Sequence, residues 1–543
     1  MEQTSTSVPP APVEALSDAP SQDSRPQRVG SVFWISLGLI AAFVIWATAF
    51  TENLNATMTA AQNWVTGSVG WGYLVVTLGL IGLLVYIMFS RYGALRLGPS
   101  NSRPDYPTYA WLAMILSAVM GVGLISYGVA EPISHFVVPP HGLAEAGSRD
   151  AAVRAMQFSF FDWGIHAWAV FAVFGLAIGY STHRLKRSAM VSTMLRPVLG
   201  KAADGWGGKA VDVLVIIATL FGTTTSLGLG AAQIDNGMQS VFGLPGGTAM
   251  QIGIVAVITV LFTASALSGV HRGIRYISQT TMVLAVGLLL FVLVTGPTNF
   301  ITNLFFESIG RYANDFISMS LITPHSDSEL QWMQWWTYFM MAWWIAWGAF
   351  VGVFLAKISR GRTIRQFIIG VLAVPSLVFF IWFTVFGGTA IHSDMTGDGA
   401  IGKAATADVN SAFFAMLAEL PLTSITSAIT IILVVLFFVS GADANTYVLS
   451  MLSSKGVLTP KRPVLVVWGT VTGITAIVLL LAGGLAALQQ AVILSAAPFT
   501  VIVVLLAISL MIELRRDPEI LAMETLKGLS TPSRTTPTEE AEK

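Results

Sequence analysis

Long apolar runs separated by short polar segments recur along the whole chain, and acids and bases are rare within the long runs. A helix of roughly 20 apolar residues is long enough to cross the hydrocarbon core of a bilayer. The pattern therefore predicts an all-α polytopic membrane protein. Twelve membrane-spanning helices are predicted, at residues 31–52, 71–91, 107–131, 156–181, 210–233, 249–268, 276–296, 331–357, 366–386, 424–450, 463–484 and 490–512.

Two shorter segments between these spans are too polar or too short to cross a membrane. Residues 302–318 are predicted to form an amphipathic helix in the outer interface, where it joins the two halves of the chain. Residues 409–420 are predicted to form a short outer helix before the tenth span. Both segments would lie at the membrane surface and not within the bilayer.

The basic residues indicate the orientation of the predicted spans. With the N-terminus inside, 25 of the 29 Lys and Arg residues fall in the inner segments. Cytoplasmic loops of membrane proteins carry such an excess, so both termini are predicted to be cytoplasmic and the protein to lie in the cell's inner (plasma) membrane. The basic loop 358–367 either contacts anionic lipid or forms ion pairs between helices.

Composition agrees with the membrane assignment and excludes several kinds of site. The chain is 54% hydrophobic and 11% charged, whereas soluble domains carry about 25% charged residues. It has no cysteine, which excludes disulfides and thiolate metal sites. A formal net charge of zero gives no reason to expect a nucleic-acid partner. The polar N-terminal segment is predicted to be disordered, and the tail from Asp517 is predicted to be a solvated end.

The eighth predicted span is unusually rich in tryptophan. Six indoles lie within sixteen residues, from Trp332 to Trp347. Aromatic faces attract positive charge without an anionic partner, so a buried cluster of indoles indicates a cage for an organic cation. An interfacial aromatic belt is the alternative explanation for some of them.

The fourth span carries a matching set of aromatic residues. At 100° per residue, Trp163, Trp168 and Phe171 fall within an arc of roughly 140°. They are predicted to form three walls of a box, with Trp344 of the eighth span as the fourth. His166 among them is predicted to have a structural hydrogen bond, and Asp162 to be solvated near the outer surface.

Glycines crowd the third span, at positions 121, 123 and 128. Glycines in a membrane helix often form a close-packing surface. The alternative is an interrupted helix whose freed backbone lines a substrate or ion site. Glu131 follows, and a carboxylate at a helix end is usually a solvated cap or a structural partner.

Side-chain oxygens are concentrated in two further spans. Thr219 and Thr223 lie on one face of the fifth span, close to three more hydroxyl residues at 224–226. Such hydroxyls either bond back to their own helix or contribute oxygens to an alkali-cation site. Ser440 and Asp443 are polar groups in the tenth span, where Asp443 lies either within the bilayer or at its cytoplasmic end.

Seven segments, in order, resemble the betaine/choline/carnitine transporter family across residues 30–515. The most specific is AWWIAWGAFVGVFLAKISRGRTIRQFI in the eighth span; the others are GLISYGVAEP, WGIHAW, FGTTTSLGLGAAQ, GPTNFITNLF, FGGTAI and SGADA. The resemblance implies an inverted-repeat fold, a homotrimer and contacts with membrane lipid. The implied organisation is a tail at 1–30, two extra helices at 31–106, five-helix repeats at 107–296 and 331–512, a connecting helix at 297–330 and a tail at 513–543.

The resemblance also implies which residues form the sites. The substrate-binding set would be Trp163, Trp168, Phe171, Trp344, Trp347, Met120 and Met341. One sodium site would use Thr219, Thr223 and Phe350. A second would use Ser117, Met120, Phe437 and Ser440.

Two substitutions relative to betaine-specific relatives bear on substrate choice, and two further positions bear on ion coupling. Phe171 stands where such relatives carry a tyrosine, and Met341 stands where they carry a further tryptophan. Gly441 replaces the second hydroxyl of one sodium site, and Gly123 stands where proton-coupled relatives carry an aspartate.

The implied function is sodium-coupled uptake of a quaternary-ammonium or related zwitterionic solute by alternating access, with Na⁺ as the co-transported ion. Betaine, choline and ectoine-like compounds are the expected class of substrate. A sodium-independent substrate/product exchanger of the same family is the alternative, and a binding-only sensor is a further one. No HExxH, GxSxG or clustered His/Asp motif indicates an enzyme.

Overall fold

The computed structural model describes residues 29–119, 121–268, 271–457 and 459–530, and all regular elements in this part of the chain are helical. In the first half the α-helices of more than four residues are α1 Ser31–Ala49, α2 Thr51–Val69, α3 Trp71–Phe89, α4 Thr108–Val119, α5 Val122–Val137, α6 Arg149–Trp163, α7 Ile165–Gly179, α8 Trp206–Phe242, α9 Thr248–Ser268 and α10 His271–Thr295. In the second half they are α11 Thr298–Ser320, α12 Asp327–Trp335, α13 Thr337–Ile358, α14 Ile364–Thr396, α15 Ala400–Ala407, α16 Ala412–Ala418, α17 Thr423–Ser453, α18 Arg462–Arg515 and α19 Pro518–Ser530.

Nine helices or joined helix pairs in the described chain are long and apolar enough to cross a membrane, and a tenth candidate is the bent pair formed by α10 and α11. The polytopic all-α prediction is confirmed, whereas the count of twelve stays a prediction. The 54-residue α18 is one reason for the difference. At 1.5 Å per residue it would measure about 80 Å if straight, against a bilayer core of about 30 Å. Non-helical backbone at Gly483 and Gly484 interrupts it at the end of the predicted eleventh span.

Three other predicted spans are also interrupted or bent. The third span is divided into α4 and α5, and Gly121 precedes α5 with extended backbone. The fourth breaks at Gly164, between α6 and α7. The eighth was predicted as one helix over 331–357, but it breaks at Trp336, which has φ −118° and ψ −92°. The indoles at 332 and 335 therefore do not continue the helical face of α13.

Helices are present at both of the short segments between spans. The segment 302–318 lies within α11, which bends by 108° from α10. Ion pairs join α11 to the start of α6, including Arg149 with Glu307 and Arg154 with Asp315. The segment 409–420 contains α16. We call the end of the bundle that carries these helices the outer end, as the distribution of basic residues predicts.

Helix α2 has no counterpart in the sequence-based prediction. Its residues alternate polar and apolar without a long apolar run, so the segment was not assigned a helix. The Asn55 side chain donates a 2.6 Å hydrogen bond to the Ala482 carbonyl oxygen, directly before the interruption in α18. Gln334 of α12 donates to the Thr66 hydroxyl at 2.7 Å. Tertiary hydrogen bonds to neighbouring helices thus hold α2 at the outer end.

The basic loop contacts neighbouring helices. The buried Arg362 guanidinium donates to the Thr108 hydroxyl and to the Tyr106 carbonyl oxygen, at 2.9 and 2.8 Å. It also lies over the Trp111 ring. The loop was predicted either to contact anionic lipid or to form ion pairs between helices. Arg362 does connect neighbouring segments, but through hydrogen bonds and not through an ion pair.

The prediction of a solvated C-terminal end is wrong at Asp517, which is 1% exposed. Arg184 donates two hydrogen bonds to its two carboxylate oxygens, and the Tyr180 hydroxyl donates a third. Burial alone would raise the pKa of Asp517, but the hydrogen bonds and the Arg184 charge outweigh it and hold the pKa below its usual value. The contact anchors the start of α19 to the end of the fourth predicted span.

We expect Asp517→Asn to weaken the docking of α19 by about 1–3 kcal/mol, because the amide replaces a charged hydrogen-bond acceptor. Since the pKa is lowered in the folded protein, the stabilisation is complete at neutral pH and is lost as the pH falls below about 4. A thermal-unfolding scan in detergent and limited proteolysis of the C-terminus measure both effects. Asp204→Asn is the control, because its pair with Arg196 is exposed; equal effects of the two substitutions would contradict the prediction.

Candidate functional site

The four aromatic residues predicted to form a box are brought together where α7 packs along α13. The ring centroids of Trp163 and Trp344 are 4.9 Å apart, and those of Phe171 and Trp344 are 6.0 Å apart. Trp168 lies 5.4 Å from Phe171. The break at Gly164 lies between Trp163 and Trp168, and a Cβ there would lie 2.5 Å from a ring carbon of Phe380, so α14 packs closely against the break. All four rings are buried.

A fifth ring closes the set, and sequence reasoning missed it. The Phe379 ring of α14 lies 6.0 Å from Trp163 and 5.7 Å from Trp168. We call the closed circuit of Trp163, Trp344, Phe171, Trp168 and Phe379 the aromatic cage. The only sequence signal for the fifth member is the aromatic run FFIWF at 379–383. That run was assigned only to the ninth span, without a role.

Hydrogen bonds fix the orientation of two cage indoles. The Trp344 indole N–H donates to the Asp162 carbonyl oxygen at 2.7 Å, and the Trp163 N–H donates to the Glu131 carboxylate at 2.7 Å. Trp344 is also stacked on Trp343, with centroids 5.2 Å apart and an interplanar angle of 16°. The two rings therefore cannot rotate without losing a buried hydrogen bond, and their geometry is preorganised.

The carboxylates beside the cage differ from the sequence-based prediction. Glu131 and Asp162 were expected to be solvated near the outer surface, with a structural partner as the alternative for Glu131. Both are fully buried, so solvation is wrong for each of them. The structural-partner alternative holds for Glu131, because Trp163 donates to it. His166 lies 2.8 Å from the Ser320 hydroxyl, which agrees with its predicted structural hydrogen bond.

The glycine-rich third span both packs closely and is interrupted, while the lining of a substrate or ion site by its backbone stays a prediction. A Cβ at Gly128 would lie 2.8 Å from the Trp382 indole nitrogen, so this glycine is a packing surface. Gly121 marks the interruption, and the Trp382 N–H donates to the Leu124 carbonyl oxygen at 2.9 Å, in the first turn of α5. Gly123 lies directly against the cage, because a Cβ there would be 2.7 Å from Trp163.

Met120 lies outside the described residues, and so does the side chain of Ser117. Their part in the substrate and sodium sites stays a prediction. Met341 is fully buried in α13. Trp347 lies apart from the cage: its ring is 5.3 Å from Phe350, and it packs on α8, where a Cβ at Gly222 would be 2.5 Å away.

The predicted threonine pair lies in α8 beside Trp347. The Thr223 hydroxyl donates to the Thr219 carbonyl oxygen at 2.9 Å and accepts a hydrogen bond from Asn445 of α17. The Thr219 hydroxyl is buried, with no hydrogen-bond partner among the described residues. The hydroxyls of Thr224, Thr225 and Ser226 bond back to carbonyls of their own helix.

Of the residues predicted for the second sodium site, Phe437 and Ser440 lie within the described chain, and the site as a whole stays a prediction. The Ser440 hydroxyl lies 3.1 Å from the Phe437 carbonyl oxygen, within α17. Open space surrounds Gly441, where a Cβ would meet no heavy atom within 4 Å. The buried Asp443 accepts a 2.7 Å hydrogen bond from the Ser265 hydroxyl of α9.

Long apolar helices that enclose an aromatic cage beside an interrupted helix define a membrane transporter core. Residues 31–519 match the family model described as BCCT, betaine/carnitine/choline family transporter. The chain belongs to this family, and it is a transporter and not an enzyme.

Three curated relatives are similar over most of the chain. The glycine betaine transporter OpuD of Bacillus subtilis (strain 168) is 41% identical over 90% of this chain and 95% of its own. The ectoine/hydroxyectoine transporter of Virgibacillus pantothenticus is 39% identical, over 88% and 95%. The high-affinity choline transport protein of Escherichia coli (strain K12) is 34% identical, over 87% and 70%.

Proposed function

We propose that this protein takes up a quaternary-ammonium or related zwitterionic compatible solute by sodium symport, with alternating access. The observation that carries the proposal is the closed aromatic cage in the protein interior. Each well-placed aromatic face contributes roughly 0.5–2 kcal/mol to binding of an organic cation, so the cage supplies several kcal/mol. The names of the relatives, transporters of glycine betaine, ectoine and choline, support the same class of substrate.

One cage atom favours a substrate that carries a carboxylate as well as a positive charge. The Trp168 indole N–H is buried and has no hydrogen-bond partner among the described residues. A buried donor gains by pairing with an acceptor, and a carboxylate is a strong one. Phe171 has no hydroxyl that could serve instead. We therefore place zwitterions such as betaine and ectoine ahead of choline.

Sodium coupling is proposed from the oxygens of α8. The unpartnered Thr219 hydroxyl and the remaining lone pair of Thr223 are neutral oxygen ligands, which hard cations prefer. They lie beside Trp347, one helix away from the cage, so ion and substrate would occupy separate positions. Each sodium ion gains about 2.3 kcal/mol per 100 mV of membrane potential, which drives accumulation.

Uptake of labelled betaine, ectoine and choline into proteoliposomes, with a sodium or a potassium gradient, tests the proposal. Uptake that requires inward sodium supports symport. Equal uptake in potassium, together with trans-stimulation without any gradient, would instead identify the exchanger. Absence of both uptake and exchange, with substrate binding intact, would identify a binding-only protein.

Thr219→Val is expected to raise the sodium concentration for half-maximal uptake by about tenfold, which corresponds to ~1.4 kcal/mol. The substitution removes the free hydroxyl and keeps the shape of the side chain. Thr224→Val is the matched control, because that hydroxyl only bonds back to the Phe221 carbonyl oxygen. An unchanged sodium dependence in Thr219→Val, or the same change in both variants, would contradict the assigned site.

A further inference from the structure

Three ionisable side chains meet beside the aromatic cage. Glu131 and His135 lie one turn apart on α5, and Asp162 is the penultimate residue of α6. One potential ligand atom from each lies within 4.8 Å of those of the other two. All three side chains are 0% exposed. We call this group the acid–imidazole cluster.

The imidazole of His135 is not satisfied by the surrounding protein. Its Nε2 atom lies 3.7 Å from the Oε1 atom of Glu131, too far for a hydrogen bond. Neither ring nitrogen has a hydrogen-bond partner among the described residues, and neither has Oε1 of Glu131. The other oxygen, Oε2, accepts from Trp163. A fully buried imidazole thus faces a carboxylate oxygen with no hydrogen bond between them.

The charges of the cluster are also uncompensated. Among the residues that the structure describes, neither carboxylate forms an ion pair with a lysine or an arginine. The polar groups that face them include Tyr127, Ser159, Thr337 and Tyr312, all uncharged in their ordinary state. Burying two negative charges without a counter-ion costs several kcal/mol per charge. A divalent cation would neutralise both carboxylates, with the imidazole as a neutral third ligand.

We propose that Glu131, His135 and Asp162 bind a divalent transition-metal ion of the Zn²⁺ type. Two carboxylate oxygens and one imidazole nitrogen are a donor set that such ions accept, and three protein ligands leave one position for water. With metal–ligand bonds of about 2.1 Å, ligand atoms are about 3.4 Å apart, so the cluster contracts by roughly 1 Å. The Trp163 N–H orients the Glu131 carboxylate from outside the ligand set, as hydrogen bonds to metal-bound carboxylates do.

The position of the site connects metal binding to transport; this consequence rests on the proposed function. Trp332 and Trp336 cover His135 on the outer side, each with its ring centroid 4.9 Å from the imidazole. A metal ion would tie α5 to α6 and hold Trp163 in the cage. An ion added from outside is therefore expected to inhibit uptake, because it fixes α5, α6 and the cage residue Trp163 relative to one another.

The first experiment measures metal binding alone, on purified full-length protein without an affinity tag or substrate. Zn²⁺ is titrated in competition with a chromophoric chelator, and Co²⁺ is followed by its visible absorption. We expect one ion per chain, with affinity reduced at least tenfold in Glu131→Gln, His135→Gln and Asp162→Asn. His141→Gln is the control: its imidazole pairs with Glu329 nearer the surface, so the variant should bind as the wild type does.

The outcomes separate the site from the proposed function. Absence of binding at tens of micromolar Zn²⁺, or equal binding by wild type and all three cluster variants, would overturn the metal site. Variants that alter only the pH dependence of uptake would also overturn it, and would show that the cluster holds a proton instead. Gel filtration and substrate binding identify a variant that has failed to fold. Because metal binding is measured without transport, a failed uptake assay leaves this result intact.

Discussion

Trp344→Ala is expected to weaken substrate binding at least about tenfold and to reduce uptake in proportion. Trp344 joins two walls of the cage: it contacts Trp163 and Phe171 and is stacked on Trp343. Its removal takes away one cation-binding face, worth roughly 0.5–2 kcal/mol. It also removes the hydrogen bond to the Asp162 carbonyl oxygen, worth about 0.5–1.5 kcal/mol, which positions the neighbouring wall.

Two further variants make the Trp344 experiment specific. Trp344→Phe keeps an aromatic face and should lose less affinity than Trp344→Ala. Trp335→Ala removes an indole that is 42% exposed and lies outside the cage, so it should bind substrate normally. Calorimetry or intrinsic fluorescence on purified protein measures affinity independently of transport rate. Wild-type affinity in Trp344→Ala would exclude the cage as the binding site.

The fold could be predicted from the sequence wherever long apolar runs dominate. Such a run has one stable state in a bilayer, a helix, because the backbone has no water to bond with. The predicted helices at 31–52, 71–91 and 249–268 accordingly match α1, α3 and α9 closely. Helix α2 was missed because its stability comes from side chains such as Asn55, whose partner is more than 400 residues away in the chain.

The cage could be predicted only in part, for a related reason. Trp168 and Phe171 both lie on α7, so helical periodicity places them on adjacent faces, whereas Trp163 lies beyond the break at Gly164 and its position depends on that break. Their approach to Trp344 was predicted from the indole cluster of the eighth span, and the family resemblance implies the same contact. Phe379 comes from a third helix, and no spacing rule relates it to the others. The contact of Phe379 with Trp163 and Trp168 depends on the packing of α14 against α6 and α7.

The buried carboxylates show a different limit of sequence reasoning. An acid near the end of a predicted span is usually solvated, so Glu131 and Asp162 were assigned to the surface. In the structure, α12 and the Trp332 and Trp336 rings extend the protein beyond that point and cover His135, one turn after Glu131. The depth of a residue in a membrane helix therefore does not give its exposure when neighbouring segments fold over the helix end.

Gly123→Ala is expected to reduce substrate affinity about tenfold, and Gly123→Asp to abolish uptake. A Cβ at position 123 would lie 3.4 Å from the Trp343 ring and 2.7 Å from the Trp163 ring. The second distance is shorter than any van der Waals contact between carbon atoms. Trp163 would have to move, and that movement would break its hydrogen bond to Glu131. An aspartate adds a charge and more volume at the same point. Proton coupling through a carboxylate here is therefore incompatible with this cage geometry.

Gly441→Ala is the matched control for Gly123→Ala. It adds the same single methyl group, in this case to α17, but the added Cβ meets no heavy atom within 4 Å. It should therefore leave substrate affinity near that of the wild type. Affinity for betaine and ectoine in saturating sodium measures both variants under one condition. If Gly123→Ala binds normally, Trp163 can move without cost and is not a fixed wall of the cage. If both variants lose affinity equally, the loss reflects general intolerance of helix glycines to substitution.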